Sequence, residues 1–128
     1  EERMIVTGDN HHRGLSVRPS ASDLVRDFAN GLPTGLNSNP TQLAPQLIDG
    51  LTNSLELIDS GTEEVFPTEN RVVIRLTNPY FLHLDGFDNP IVSFIGTGLA
   101  AGLDTPIDLR VRPSTEDEIG DYVLTCDW

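Results

Sequence analysis

Lysine is absent from this sequence, because its eight basic residues are all arginine. Against them stand 20 acidic residues, which give a formal net charge of −12 at pH 7. Phosphate backbones are bound by clustered cations, and the only close arginine pairs are Arg71 with Arg75 and Arg110 with Arg112. The balance of charge therefore argues against nucleic acid and against anionic membrane surfaces as partners.

The acidic excess is informative about the solvent in which the protein works. In dilute buffer so large a net charge repels itself and opposes the compact state. In molar salt the Debye length falls to about 3 Å and this repulsion is largely screened. A GC-rich genome also replaces lysine with arginine, but it does not explain the acidic excess. The composition therefore predicts a protein adapted to high salt, from a halophile or one of its viruses.

Cysteine and long apolar runs are also scarce. The single cysteine, Cys126, excludes an internal disulfide and a cysteine-rich metal site. Its apolar surroundings predict a buried small hydrophobe, with an intermolecular bridge as the alternative. No run approaches the roughly 20 apolar residues of a transmembrane helix, and residues 1–4 lack the profile of a signal peptide.

The first half of the sequence predicts an arm and two helices. Residues 1–19 have little periodicity and predict an extended N-terminal arm that adds a strand to this sheet or to a neighbour's; residues 20–128 form a single α+β domain. Ser20 or Ser22 is expected to cap a short helix that stops at Gly31. A second helix is predicted from the helical spacing of its apolar residues and is expected to end at Gly61. Asn39 and Pro40 are a plausible start, although Pro45 suggests that its regular part begins only there. The apolar positions of this helix are Leu43, Leu47, Ile48, Leu51, Leu55 and Ile58.

The second half predicts strands. From Glu64 onward the apolar period becomes two, as in a half-buried strand. Strands are expected at residues 71–76, 80–85, 91–95, 107–112 and 122–128, with 91–95 central because it is apolar on both faces. The predicted fold is α+β, with two N-terminal helices packed on one face of a mostly antiparallel sheet of about five strands.

One motif matches the residue pattern of a cofactor site. Residues 96–101 read G-x-G-x-x-A after an apolar run, which is the pattern of a dinucleotide-binding turn. Such a turn must open a helix inside a βαβ unit, and Asp104 to Pro106 interrupt the chain too soon for one. We expect residues 96–102 to form a tight glycine-rich connection or a site of close backbone packing, and expect no cofactor.

Catalytic and metal-binding patterns are weak. Nucleophilic catalysis needs a nucleophile held by a base, and no local motif provides one. His11 and His12 are adjacent, so on an extended chain their rings point to opposite sides and do not converge on one ion. The acidic run at residues 116–118 lacks the oxygen spacing of a calcium loop and is expected to be a solvated turn. We therefore predict no catalytic, cofactor or metal site.

Contacts with other proteins are the remaining expectation. The candidate contact residues are Phe81, Phe87, Trp128, His11 and His12. The predicted function is a non-enzymatic structural or assembly subunit, a capsid, decoration or head–tail protein of a haloarchaeal virus, in a homo- or hetero-oligomer within the virion. The alternative is a small binding or regulatory module in the high-salt cytosol of a halophilic archaeon.

Overall fold

The computed structural model describes residues 2–6, 22–77 and 89–128 of the chain. Within these ranges there are five strands: β1 Glu2–Val6, β2 Ser60–Phe66, β3 Arg71–Thr77, β4 Ile107–Pro113 and β5 Tyr122–Asp127. The same ranges contain three helices: α1 Ser22–Asn30, α2 Pro40–Asp49 and α3 Pro90–Leu103. A π-helical turn, Gly50–Ser54, continues α2, and a 3-10 turn, Pro67–Glu69, joins β2 to β3.

The strands form one sheet in the order β1-β4-β5-β3-β2, and each neighbouring pair is antiparallel. Alternate residues of the strands are buried on one side, which we call the inner face. In β3, Val72, Ile74 and Leu76 are fully buried and the residues between them are half-buried. This confirms the predicted class, an α+β domain with an antiparallel sheet of five strands.

The helices α2 and α3 lie on the inner face. α3 approaches β1 and β4 where Gly96 meets Val6 and Leu109, and α2 approaches β2 where Ile48 meets Gly61. α1 packs on α3, with the rings of Phe28 and Phe94 meeting edge to face at 5.5 Å. Because the helices are on the inner side, the opposite, outer face of the sheet receives no helix from the described part of the chain.

The second predicted helix is confirmed at its start but is wrong at its end. Asn39 caps α2 by accepting a hydrogen bond from the Thr41 N–H at 2.9 Å, and Pro40 is the first helical residue. The helix therefore begins before Pro45, which lies inside it. The chain leaves the helical path after Ser54, and residues 60–66 form β2, a strand that the sequence reading missed because its residues are mostly polar.

The prediction of a central strand at residues 91–95 is wrong, and so is that of a loop at 96–102. Both lie in α3, of which Ile91 to Ala100 are all buried. A helix that is enclosed on every side loses its polar stripe, so its sequence resembles a buried strand. The residue that caps the start of α3 is Asn89, whose side chain accepts hydrogen bonds from the backbone N–H groups of Ile91 and Val92.

The beginning of the predicted arm is a strand of this domain's own sheet. β1 pairs with β4, and Val6 is buried while Ile5 is 60% exposed. Residues 7–19 of the arm, and the strand predicted at 80–85, lie outside the described residues. At the other end of the chain, Trp128 packs against the core and donates its backbone N–H to the Asn70 carbonyl at 3.0 Å.

Candidate interaction surface

The outer face of the sheet is made of three rows of residues that run across the strands. The register places Thr62, Arg75, Val123 and Arg112 in the first row; Glu64, Val73, Thr125, Arg110 and Arg3 in the second; and Phe66, Arg71, Asp127, Asp108 and Ile5 in the third. The rows hold five of the eight arginines of the chain. This side of the sheet is therefore the place where the scarce positive charge is collected.

A carboxylate from the loop between β4 and β5 holds the first row together. Glu118 accepts hydrogen bonds from Arg112 at 2.6 and 2.8 Å and from Arg75 at 3.0 Å. The two arginines flank Val123 in the register, and with their heads joined above it Val123 is only 2% exposed. The three charged groups thus form a lid over one end of the outer face.

The same contacts lower the pKa of Glu118. The hydrogen bonds from Arg112 contribute most, followed by the Thr115 backbone N–H and then Arg75, and together they hold the pKa of Glu118 well below its usual range. Glu118 belongs to the acidic run that was predicted to be a solvated turn. It is 19% exposed and binds arginines of its own chain, which sequence spacing did not reveal because the partners lie on different strands.

The loop that carries Glu118 is fixed at several further points. The Ser114 N–H donates to the Asp121 carbonyl at 2.9 Å, and the Asp121 N–H donates to the Leu76 carbonyl at 2.7 Å. Next to Glu118, Ile119 is 75% exposed. A large apolar side chain is therefore displayed on an ordered loop at the margin of the outer face.

The third row contains a second ion pair. Arg71 donates to both carboxylate oxygens of Asp127, at 2.7 and 3.3 Å. Asp108 lies beside Asp127 in the register. With Glu118 included, the outer face combines five arginines with four carboxylates, so the excess of negative charge resides on the rest of the molecule.

Two charged residues of the second row have no partner within the described ranges. Arg110 makes no ion pair there, and its Nε is buried without a hydrogen-bond acceptor. Glu64 is exposed and likewise pairs with none of the described residues. β5 and β3 separate the strands of these two residues, so their backbones lie about 14 Å apart at roughly 4.8 Å per strand. They are therefore too far apart to neutralise each other directly within one molecule.

The glycines of the G-x-G-x-x-A motif lie in α3, where their lack of a side chain allows neighbouring elements to pack closely. Gly96 and Gly98 lie inside α3 rather than at its N-terminus, which starts at Pro90. A Cβ at Gly98 would lie 2.5 Å from Leu47, and one at Gly102 would lie 2.5 Å from Leu43. These residues allow α2 and α3 to approach closely.

The sequence-predicted contact residues are not brought together by the described part of the fold. Trp128 packs on its own domain, whereas His11, His12, Phe81 and Phe87 lie outside the described residues. Cys126 is fully buried, which confirms the prediction for it, and burial raises the pKa of its thiol, with a further contribution from Asp127. Within residues 2–6, 22–77 and 89–128, no group of three or more His, Cys, Asp or Glu residues could hold a metal ion. No helix in these same ranges is long and apolar enough to cross a membrane.

The fold and this surface define a small α+β domain in which helices cover one face of an antiparallel sheet, while five arginines and four carboxylates lie on the other face. The chain belongs to the family described as Domain of unknown function (DUF7982), whose model matches residues 1–128. No curated protein and no solved structure matches it.

Proposed function

We propose that this chain is a non-enzymatic assembly subunit of a halophilic system, and that it associates with other protein subunits through the outer face of its sheet. The observation that carries the proposal is the distribution of charge. A second protein as acidic as this one is repelled by a surface of net charge −12, but the outer face balances its arginines with carboxylates. It is the described surface on which an acidic protein approaches at the least electrostatic cost.

The arrangement of the arginines supports the same function. Arginine is enriched at protein interfaces because its planar head binds carboxylates in pairs and tolerates partial desolvation. Arg71, Arg75 and Arg112 are already held by ion pairs, so a partner meets side chains that have little freedom left to lose. Preorganisation of this kind lowers the entropic cost of association.

Two settings fit this function, a haloarchaeal virus particle and, as the alternative, a regulatory module in a high-salt cytosol. In the first, the chain is a capsid, decoration or head–tail component, and contacts on other surfaces extend the outer-face contact into a large assembly. In the second, it forms a small closed oligomer. The size of the oligomer in molar KCl distinguishes them, because an extended assembly grows with protein concentration and a closed oligomer does not.

Sedimentation equilibrium in molar KCl tests the proposal. We expect the wild-type chain to be oligomeric and the Thr125→Arg variant, which places a bulky cation in the middle of the outer face, to be monomeric. Thr41→Arg, at an exposed position of α2, is the matched control and should assemble like wild type. A wild-type chain that stays monomeric over the micromolar to millimolar range would overturn the proposal. Assembly of Thr125→Arg to the wild-type extent would show that the outer face is not the contact surface.

A further inference from the structure

The outer face has a pattern of charge that is complementary to itself. We propose that two copies of this chain pack outer face against outer face about a two-fold axis that runs parallel to the strands and passes between β5 and β3. In this arrangement Arg110 of each copy pairs with Glu64 of the other. The inference rests on the proposed function, since it names the partner and the register of the same surface.

The register follows from the rows of the sheet. A two-fold axis between β5 and β3 places β4 opposite β2 of the second copy and β5 opposite β3, because the strand order is β1-β4-β5-β3-β2. In the second row Arg110 then faces Glu64, and Thr125 faces Val73. In the third row Asp127 faces Arg71. Since a two-fold axis repeats every contact, each of these pairs occurs twice.

Among the strand residues of the three rows, no pair of like charges faces across this axis. The remaining facing pairs are Arg112 with Thr62, Val123 with Arg75, and Asp108 with Phe66, as read from the same ladders. Each of these sets a charged side chain against a neutral one. The register therefore joins opposite charges without bringing equal charges together.

Neighbouring registers fail this test. An axis through β5 places Arg112 opposite Arg75 of the second copy, and it places the two Asp127 residues opposite each other. An axis through β3 places Arg71 and Arg75 each opposite its own copy, and one between β4 and β5 places Asp108 opposite Asp127. Like charges that face each other directly destabilise a contact. The axis between β5 and β3 is thus selected by repulsion as well as by attraction.

The proposed pair also provides partners for two residues that have none among the described residues of a single molecule. Arg110 presents a guanidinium whose Nε is buried and unbonded, and Glu64 is exposed in the same row. In molar salt, contacts between charges at hydrogen-bond distance persist, because screening acts over about 3 Å and such pairs lie no farther apart than this. The repulsion between distant charges of the two copies is removed by the same salt. Molar salt therefore allows this acidic chain to associate with itself, because it screens the long-range repulsion while the Arg110–Glu64 contact remains attractive.

The size of the face sets the expected strength. In this register β1 has no facing strand, so four strands at about 4.8 Å and seven residues at about 3.3 Å give a flat area of roughly 440 Å² per copy. Two such faces together bury less than the roughly 1,200 Å² of a standard specific interface and correspond to a weak, reversible contact. We therefore expect a dissociation constant in the micromolar range rather than a permanent dimer.

Charge exchange tests the register. In sedimentation equilibrium in molar KCl, Arg110→Glu and Glu64→Arg should each weaken self-association about tenfold or more, and the double exchange should restore it to within a few-fold of wild type. Two matched controls make the same changes of net charge elsewhere. Arg26→Glu lies on α1, and Glu63→Arg is the neighbouring exposed residue of β2 with its side chain on the other face; both should associate like wild type.

The outcomes separate this inference from the proposed function. If the wild-type chain associates and the single exchanges leave that unchanged, the register is wrong while the assembly function stands. If the single exchanges weaken association and the double exchange does not restore it, the Arg110–Glu64 pair is wrong. A monomeric wild-type chain would remove both proposals. Should Arg110→Glu fail to fold, Glu64→Arg at its exposed position decides the matter, because a wild-type affinity there contradicts the pair.

Discussion

Gly98 of α3 lies so close to Leu47 of α2 that a methyl group on Gly98 would be 2.5 Å from Leu47 Cδ2. Leu47 is fully buried, so its side chain has little room to withdraw. Overpacking of this kind costs about 1–3 kcal/mol, and the better helix propensity of alanine returns at most about 1 kcal/mol.

We therefore expect Gly98→Ala to lower the free energy of unfolding by about 1–2 kcal/mol, measured by urea denaturation in molar KCl. Gly31→Ala is the control, because a Cβ there meets only ordinary contacts of 3.5 Å or more. Equal stability of the two variants would show that α2 and α3 are not packed as closely as described.

Glu118 should make stability depend on pH in the acid range. Its pKa is lower in the folded state than in the unfolded state, so the unfolded chain takes up the proton first as the pH falls. The stabilisation is therefore complete above about pH 5 and decreases below an unfolded-state pKa of about 4.3. Glu118→Gln should be less stable than wild type at pH 7, and the difference should shrink as the pH falls below about 4. Chemical denaturation across this pH range measures it, and Glu116→Gln on the same loop is the control. A difference that is constant with pH would contradict the role of the Arg75 and Arg112 contacts.

Salt should stabilise the fold. Screening removes the mutual repulsion of a chain with net charge −12, and a gain of about 2–3 kcal/mol would raise the Tm by roughly 10 °C. Thermal unfolding in a series from dilute buffer to molar KCl measures the effect. Sucrose at equal osmolality is the control, because it acts by exclusion without screening. An unchanged Tm in dilute buffer would refute the adaptation to salt.

The reactivity of Cys126 reports on transient unfolding of the native protein. The thiol is fully buried and its pKa is raised, so iodoacetamide should react with it only when the chain opens. The native protein should resist alkylation for far longer than the urea-unfolded chain, and Gly98→Ala should react faster than wild type. Alkylation of the native protein at the rate of the unfolded chain would contradict the burial of β5.

The sequence allowed the class of the fold, the strands β3, β4 and β5, and the start of α2 to be predicted, because each shows a clear period or cap. It did not reveal α3 as a helix, since burial on every side removed the polar stripe that distinguishes a helix from a central strand. β2 was missed for the opposite reason. It lies at an edge and is polar as far as Glu64, so the period of two that starts at Glu64 marked only its last residues.

The candidate surface was less accessible to sequence reasoning than the fold. Arg71, Arg75, Arg110 and Arg112 were visible as two close pairs, but only the register shows that the pairs share one face. The role of Glu118 depends on a loop that folds back over β3 and β4. Relationships of this kind are set by the order of strands in the sheet, which local patterns do not encode.

The acidity of β2 has a consequence for the edge of the sheet at which this strand lies. An edge strand leaves backbone groups free to pair with another chain and so invites endless lateral extension of the sheet. Glu63 and Glu64 are successive residues of β2 and both are exposed, so their carboxylates lie on opposite faces of the sheet. A β2 strand from another molecule that paired with this edge would meet a carboxylate on each face. Fibrous growth at this edge is therefore discouraged.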